Sequence, residues 1–188
     1  MPVPNAFATG RNDRHAVVAV TRSITDLLDE DELRAVLAHE IGHIKNRDIL
    51  VSSVAATLAG AISMLVHSLM FFGGGRDRRG GNPISLLAML ILTPVMAAMI
   101  QMAVSRSREY GADDRGAEYA NPHDLARALE KLDAFSRARP IAGTSRDSAV
   151  AHLFIVNPFS PSLLMRLFST HPPIDDRIAR LEEMGRKA

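Results

Sequence analysis

The chain of 188 residues carries 22 basic and 21 acidic side chains, a net charge of +1, which argues against a nucleic-acid partner held by bulk charge. It contains no cysteine, so disulfides and thiolate metal sites are excluded and any bound metal must use histidine and carboxylate. The 47% hydrophobic content is ordinary, but two uncharged blocks hold much of it.

The opening "MPVPNAFATG" lacks the basic-then-apolar pattern of a signal peptide. Residues 5–24 read as two short strands around a turn at Gly10–Asp13, the second being the β-branched "AVVAV". Asn5 to Thr9 then reads either as an edge strand that could pair with an extended substrate or as an ordinary structural strand. Next, Asp29 with Glu32 three residues on has capping-box form. Leu33, Val36, Leu37, Ile41 and Ile44 follow at helical spacing and predict one apolar stripe, with Ala35 and Gly42 beside it leaving room for a ligand.

Residues 49–72 carry no formal charge and one histidine, His67. As a helix this block reaches roughly 36 Å, enough for a bilayer core of about 30 Å. After "GGGRDRRGGN", residues 83–105 form a second such block with Pro94 as a kink and Gln101 as its main polar group. The pair reads as an apolar hairpin in contact with membrane lipid, the alternative being two buried helices of a soluble bundle. Ser52, Ala56 and Gly60 form a small-residue stripe suited to close helix approach. Lys45, Arg47, Arg106 and Arg108 at the outer ends balance Arg76, Arg78 and Arg79 in the loop, so charge alone does not orient the hairpin.

Asn121 as N-cap and Pro122 as first helical residue predict an amphipathic helix with Leu125, Leu129 and Leu132 on one face. A last helix enters through Pro173 with Ile174, Ile178 and Leu181 inward. "HLFIVNPF" is too short to assign. His15, His123 and His152 read as surface or turn residues, and His67 as an interhelical hydrogen-bonding group.

The chemistry begins at His39-Glu40-Ile41-Gly42-His43, an H-E-x-x-H on the first predicted helix. Four residues advance a helix about 40° past a full turn, so both imidazoles face one way and can hold one ion. Glu40 is offset by about 100° from His39, beside such an ion rather than on it. Zinc held there would acidify a water and polarise a carbonyl, with Glu40 as the base that takes the proton. The bland alternative is two surface histidines with a solvated glutamate. A catalytic zinc takes three protein ligands, and positions 46 and 49 are Asn and Ile, so no nearby histidine completes the set. Glu109 in "SRSREYGADDRG" is the candidate, because a hairpin that leaves after His43 returns just before Glu109. Read alone, Glu109 could equally be a surface carboxylate paired with Arg106 or Arg108. Asp113, one turn on, is a candidate acceptor for a ligand imidazole.

"PNAFATG", "AVVAVT", "LRAVLAHEIGHIKNRDIL", "SRSREYGAD", "HLFIVNPFS" and "THPPIDDRIARL", in this order, resemble the HtpX family of membrane zinc metalloproteases, within the wider group that includes the CAAX prenyl proteases. The resemblance spans nearly the whole chain and matches the family's C-terminal two-thirds, without two further transmembrane helices that members carry upstream. It implies one zinc per chain on His39, His43 and Glu109, Glu40 as catalytic base, Asp113 supporting a ligand, and His171 and Arg177 near the site. A His or Arg there could support the transition state; read without the resemblance, His171 is a helix-entry residue and Arg177 a solvated partner of Asp175 or Asp176. It further implies a multi-pass protein of the bacterial inner membrane, a site facing the cytoplasm, and a stress-linked quality-control role on unfolded or membrane proteins.

The expectation is therefore a single, mostly helical α+β metalloprotease domain over 1–188, zincin-like. It comprises a small sheet region in 1–28, the H-E-x-x-H helix in 29–48, an apolar hairpin in 49–105 inserted between zinc ligands, and the third-ligand and C-terminal helices in 106–188. The segment from His39 to Ser53 is expected to be one continuous helix. The expected function is that of a zinc endopeptidase. Its rivals are a non-catalytic membrane adaptor or holdase retaining the zinc helix, and a soluble bundle with an incidental motif.

Overall fold

The computed structural model describes residues 3–10, 12–72, 83–139, 155 and 172–187. The readings made for His152, His171, the "RDRR" loop and "HLFIVNPF" apart from Ile155 lie outside them.

Strands β1 (Ala6–Gly10) and β2 (Ala16–Val20) pair antiparallel, Ala6 opposite Val20 and Gly10 opposite Ala16. The turn between them includes a short 3₁₀ segment, Asp13–His15, capped by the Asn12 side chain. Gly10 sits at φ 143°, a conformation L side chains avoid, and a Cβ there would run into the His15 carbonyl. Thr21 N–H donates to Asn5 C=O at 2.9 Å, so odd-numbered residues of β1 bond across to β2. The even-numbered ones turn their backbone groups to the opposite edge, where Ala8 N–H meets Glu40.

After α1 (Arg22–Leu27), helix α2 (Glu30–Lys45) starts on the expected capping box: Asp29 Oδ1 accepts from Glu32 N–H and Glu32 Oε2 from Asp29 N–H. Glu32 is also buried against α5 (Pro122–Ala138), where Lys131 Nζ reaches its carboxylate at 2.6 Å. The Glu32 N–H bond holds the Asp29 carboxyl below its ordinary value. A depressed folded-state pKa means this stabilisation is complete above the unfolded value of about 3.9 and is lost as pH falls through the lower folded value. Asp29→Asn keeps an acceptor that does not titrate there. It should therefore flatten the acid limb of melting temperature against pH below about pH 4, and an unchanged limb would refute the cap's role.

The buried face of α2 differs from the expected stripe. Ala35, Val36, Ala38, His39, Glu40 and Gly42 are buried, while Ile41 is 40% exposed. The reason is helix α4 (Pro83–Ala117), which packs along the small-residue side. A Cβ on Gly42 would lie 2.9 Å from the Ala112 carbonyl oxygen, and one on Gly116 3.1 Å from His39 N. Gly42 thus makes room for a helix rather than for a ligand. Gly42→Ala should lower the melting temperature even though alanine favours helix by about 1 kcal/mol, because overpacking costs about 1–3 kcal/mol. A rise in melting temperature would refute the close contact.

The continuous helix expected from His39 to Ser53 is interrupted. Asn46 caps α2, Arg47 adopts φ 56°, and α3 (Asp48–Phe72) starts afresh. Helix α4, by contrast, runs unbroken through Pro94 and on through Glu109. By length and composition alone, Asp48–Ser68 and Met89–Ala117 are each able to cross a membrane. Their outward residues are large and apolar: Leu58, Ile62, Met64, Leu65, Met99 and Ile100 are all more than half exposed. Helices α3 and α4 do pack together, yet a Cβ on Gly60 would meet nothing within 4 Å, so Gly60 is not part of that contact. Among the described residues His67 bonds Ser63 C=O in its own helix at 2.7 Å.

The hydrophobic core lies on the other side of α2. Val36, Leu125, Leu129 and Leu132 join Ile24 of α1 and Leu181 of α6 (Ile174–Gly185). Asn121 and Pro122 start α5 as expected. His123 is not a lone surface group: its Nδ1 lies 3.0 Å from Glu182 Oε2 and ties α5 to α6.

Candidate metal centre

Helix α2 presents His39 and His43 one turn apart, with ring centroids 4.7 Å from each other and Nε2 atoms 3.1 Å apart. Helix α4 brings Glu109 to the same point, Oε2 lying 3.8 Å from His39 Nε2 and Oε1 3.7 Å from His43 Nε2. Among the described residues these three form a group able to hold a metal ion. The close passage of α2 and α4 at Gly42 and Gly116 is what allows the convergence.

The far side of each imidazole faces a buried carboxylate. His39 Nδ1 is 2.9 Å from Asp113 Oδ1, with the ring N–H off the line to that oxygen. His43 Nδ1 is 2.6 Å from Asp48 Oδ2. Carboxylates on Nδ1 favour the tautomer that leaves Nε2 lone pairs free toward the shared point. Two imidazole nitrogens and one carboxylate oxygen, with one coordination position left over, suit zinc. The donor set therefore fits the metal that the sequence suggests.

Burial lowers the pKa of His43. The Asp48 hydrogen bond and the charges of Glu109, Glu40 and Asp48 outweigh that and leave it raised. Glu40 is 5% exposed and accepts from Ala8 N–H at 2.9 Å. Burial raises its carboxyl above the ordinary value, an effect assisted by Glu109 and opposed by the two histidines and the Ala8 N–H.

Arg177 arrives from α6 and is 1% exposed. It forks onto Asp113, Nε at 2.9 Å and Nη2 at 2.7 Å, and its Nη1 lies 3.2 Å from Glu109 Oε2. It is thus no solvated partner of Asp175 or Asp176, and Glu109, which it also contacts, is a buried carboxylate rather than a surface one. Asp48 was not among the candidates. The signal available in the sequence was an acid five residues after His43, beyond helical reach unless the helix breaks.

Glu40, His39, His43 and Glu109 line a cleft of about 750 Å³. Its walls are β1 on one side and small or polar residues of α3 and α4 on the other, including Ser52, Ala56 and Ser105. Arg108 also borders it, whereas Arg177 does not.

Comparison with known proteins gives the same picture. The model of peptidase family M48 matches residues 1–185. The protease HtpX homologue of Salinibacter ruber is 57% identical over 98% of this chain, and that of Pyrococcus furiosus is 52% identical over 97%. The chain spans 66% and 64% of those relatives' lengths. Among solved structures, S. mikatae Ste24p matches 95% of this chain and 43% of its own at 23% identity, with a TM-score of 0.58, a likeness of fold. The resemblance to HtpX proteins holds along nearly the whole sequence, and the chain belongs to peptidase family M48.

Proposed function

We propose that this chain is the zinc-dependent endopeptidase part of a membrane protein, of the H-E-x-x-H type, acting on membrane or misfolded proteins in quality control. The observation that carries the reading is the convergence of two Nε2 atoms and one carboxylate, with a carboxylate behind each imidazole and Glu40 alongside. When bound at His39, His43 and Glu109, zinc supplies a Lewis acid that acidifies water and polarises a peptide carbonyl. Glu40 takes the proton from the attacking water and delivers it to the leaving amine. Its buried site strengthens that exchange, and the Ala8 N–H holds the carboxylate in place. An extended substrate would pair with the cleft-facing edge of β1, which carries its backbone groups past the carboxylate of Glu40. Asp113 keeps His39 in its tautomer, and Arg177 acts on the two carboxylates rather than on substrate. The exposed apolar faces of α3 and α4 seat the chain in lipid. The reading extends, on the family resemblance, to a multi-pass protein of the bacterial inner membrane with the site facing the cytoplasm.

The test uses the full chain purified in detergent. Zinc near one per chain, lost in His39→Ala and in Glu109→Ala, together with cleavage of an unfolded protein such as casein, is the expected result. Zinc without cleavage would favour a holdase. Absence of zinc with solubility in plain buffer would overturn the metalloprotease and the membrane seat together.

A further inference from the structure

The Asp48 carboxylate behind His43 is only as well placed as the first turn of α3. That turn follows a break at Asn46–Arg47, where Arg47 holds the left-handed conformation at φ 56°. A left-handed arginine costs about 1–2 kcal/mol and persists only when its surroundings impose it. The surroundings here come from α4. Arg108 Nη1 donates to Asp48 C=O at 3.0 Å and to Ser52 Oγ, and its Nη2 donates to Ser105 Oγ at 3.1 Å. Ser52 Oγ in turn donates to Asp48 C=O at 2.7 Å. Asp48 itself is 5% exposed, so its position is set by these partners rather than by solvent.

We propose that Arg108 is a positioning residue for the metal centre, acting through Asp48 on His43. This rests on the metalloprotease reading above. Helix α4 then orients all three ligands: it supplies Glu109, it supports His39 through Asp113, and it supports His43 at one remove through Arg108 and Asp48. The alternative is that Arg108 merely ties two helices together, and the two differ in how substitutions combine.

Zinc affinity of the detergent-purified chain, measured by competition with a chelator, reads the difference. Asp48→Ala should weaken binding about 10–100-fold, as loss of a carboxylate behind a ligand does, and Arg108→Gln alone about tenfold. In the Asp48→Ala background, Arg108→Gln should add no more than about twofold, since both act through one pathway. If the two factors multiply, or if Arg108→Gln leaves affinity unchanged, the proposal is overturned while the metalloprotease reading stands. A wild-type chain that binds no zinc overturns both. Melting curves without metal identify variants that fail to fold. Should Arg108→Gln be one, Arg108→Lys, which keeps the charge but not the fork, is to show an intermediate loss that vanishes in the Asp48→Ala background.

Discussion

Replacing Glu40 by Gln is expected to lower the rate of peptide cleavage by about 10²–10⁴-fold while leaving zinc content unchanged. Gln has the same shape and still accepts from Ala8 N–H, so β1 and the metal ligands keep their positions. What disappears is the ability to take a proton from water. The substitution also removes a charge from a group that is 5% exposed, so the folded chain should be no less stable, and burial's unfavourable effect on that charge is relieved. Turnover, zinc stoichiometry and melting temperature, measured on one preparation, test all three statements. A Glu40→Gln chain that cleaves within tenfold of the wild type would exclude Glu40 as the base.

Arg177→Met is expected to destabilise the metal-free chain by about 3–5 kcal/mol, the usual cost of removing one partner from a buried ionic group. The substitution keeps length and apolar contact but takes the Arg177 guanidinium away from the Asp113 and Glu109 carboxylates, 1% and 8% exposed. Zinc bound at the candidate site would engage Glu109 and should restore part of the loss, so the melting temperature of the variant should respond to zinc more than that of the wild type. A second substitution separates stability from ligand support. Adding Asp113→Leu removes the fork's carboxylate as well and should recover part of the stability, because a buried ion pair can be exchanged for apolar groups at little cost, while Glu109 still lacks Arg177. Zinc affinity should not recover with it, since His39 has lost its carboxylate. A loss under about 1 kcal/mol for Arg177→Met would show that the fork contributes no more than a surface ion pair does.

Several features of this site were legible in sequence for a physical reason: they are local. The i, i+4 spacing of His39 and His43 places both rings on one face of any helix, and the Asp29–Glu32 and Asn121–Pro122 starts follow from backbone donors that need acceptors within three residues. Glu109 was within reach only because two apolar blocks must return the chain to the side it left. Other features were misread where tertiary packing overrode a pattern. Ile41 belongs to a regular apolar series yet faces outward, since α4 needs the glycine and alanine side of α2 to approach closely. The stripe through Gly60 suggested close helix contact, but the two apolar helices leave that position open.

By itself the sequence determined the candidate metal-ligand pair His39 and His43 with Glu40 beside it, the absence of thiolate chemistry, the two helices apolar enough for lipid, and the caps that begin α2 and α5. These follow from chain-local geometry and side-chain chemistry, and no distant residue can alter them. Only the tertiary structure decided which groups stand behind the ligands. Asp48 reaches His43 because the helix breaks at Arg47, and Arg177 crosses from the last helix to hold Asp113 and Glu109. Both depend on long-range packing that buries charge beside opposite charge. No spacing along the chain records that condition, because it exists only once α2, α4 and α6 are in contact.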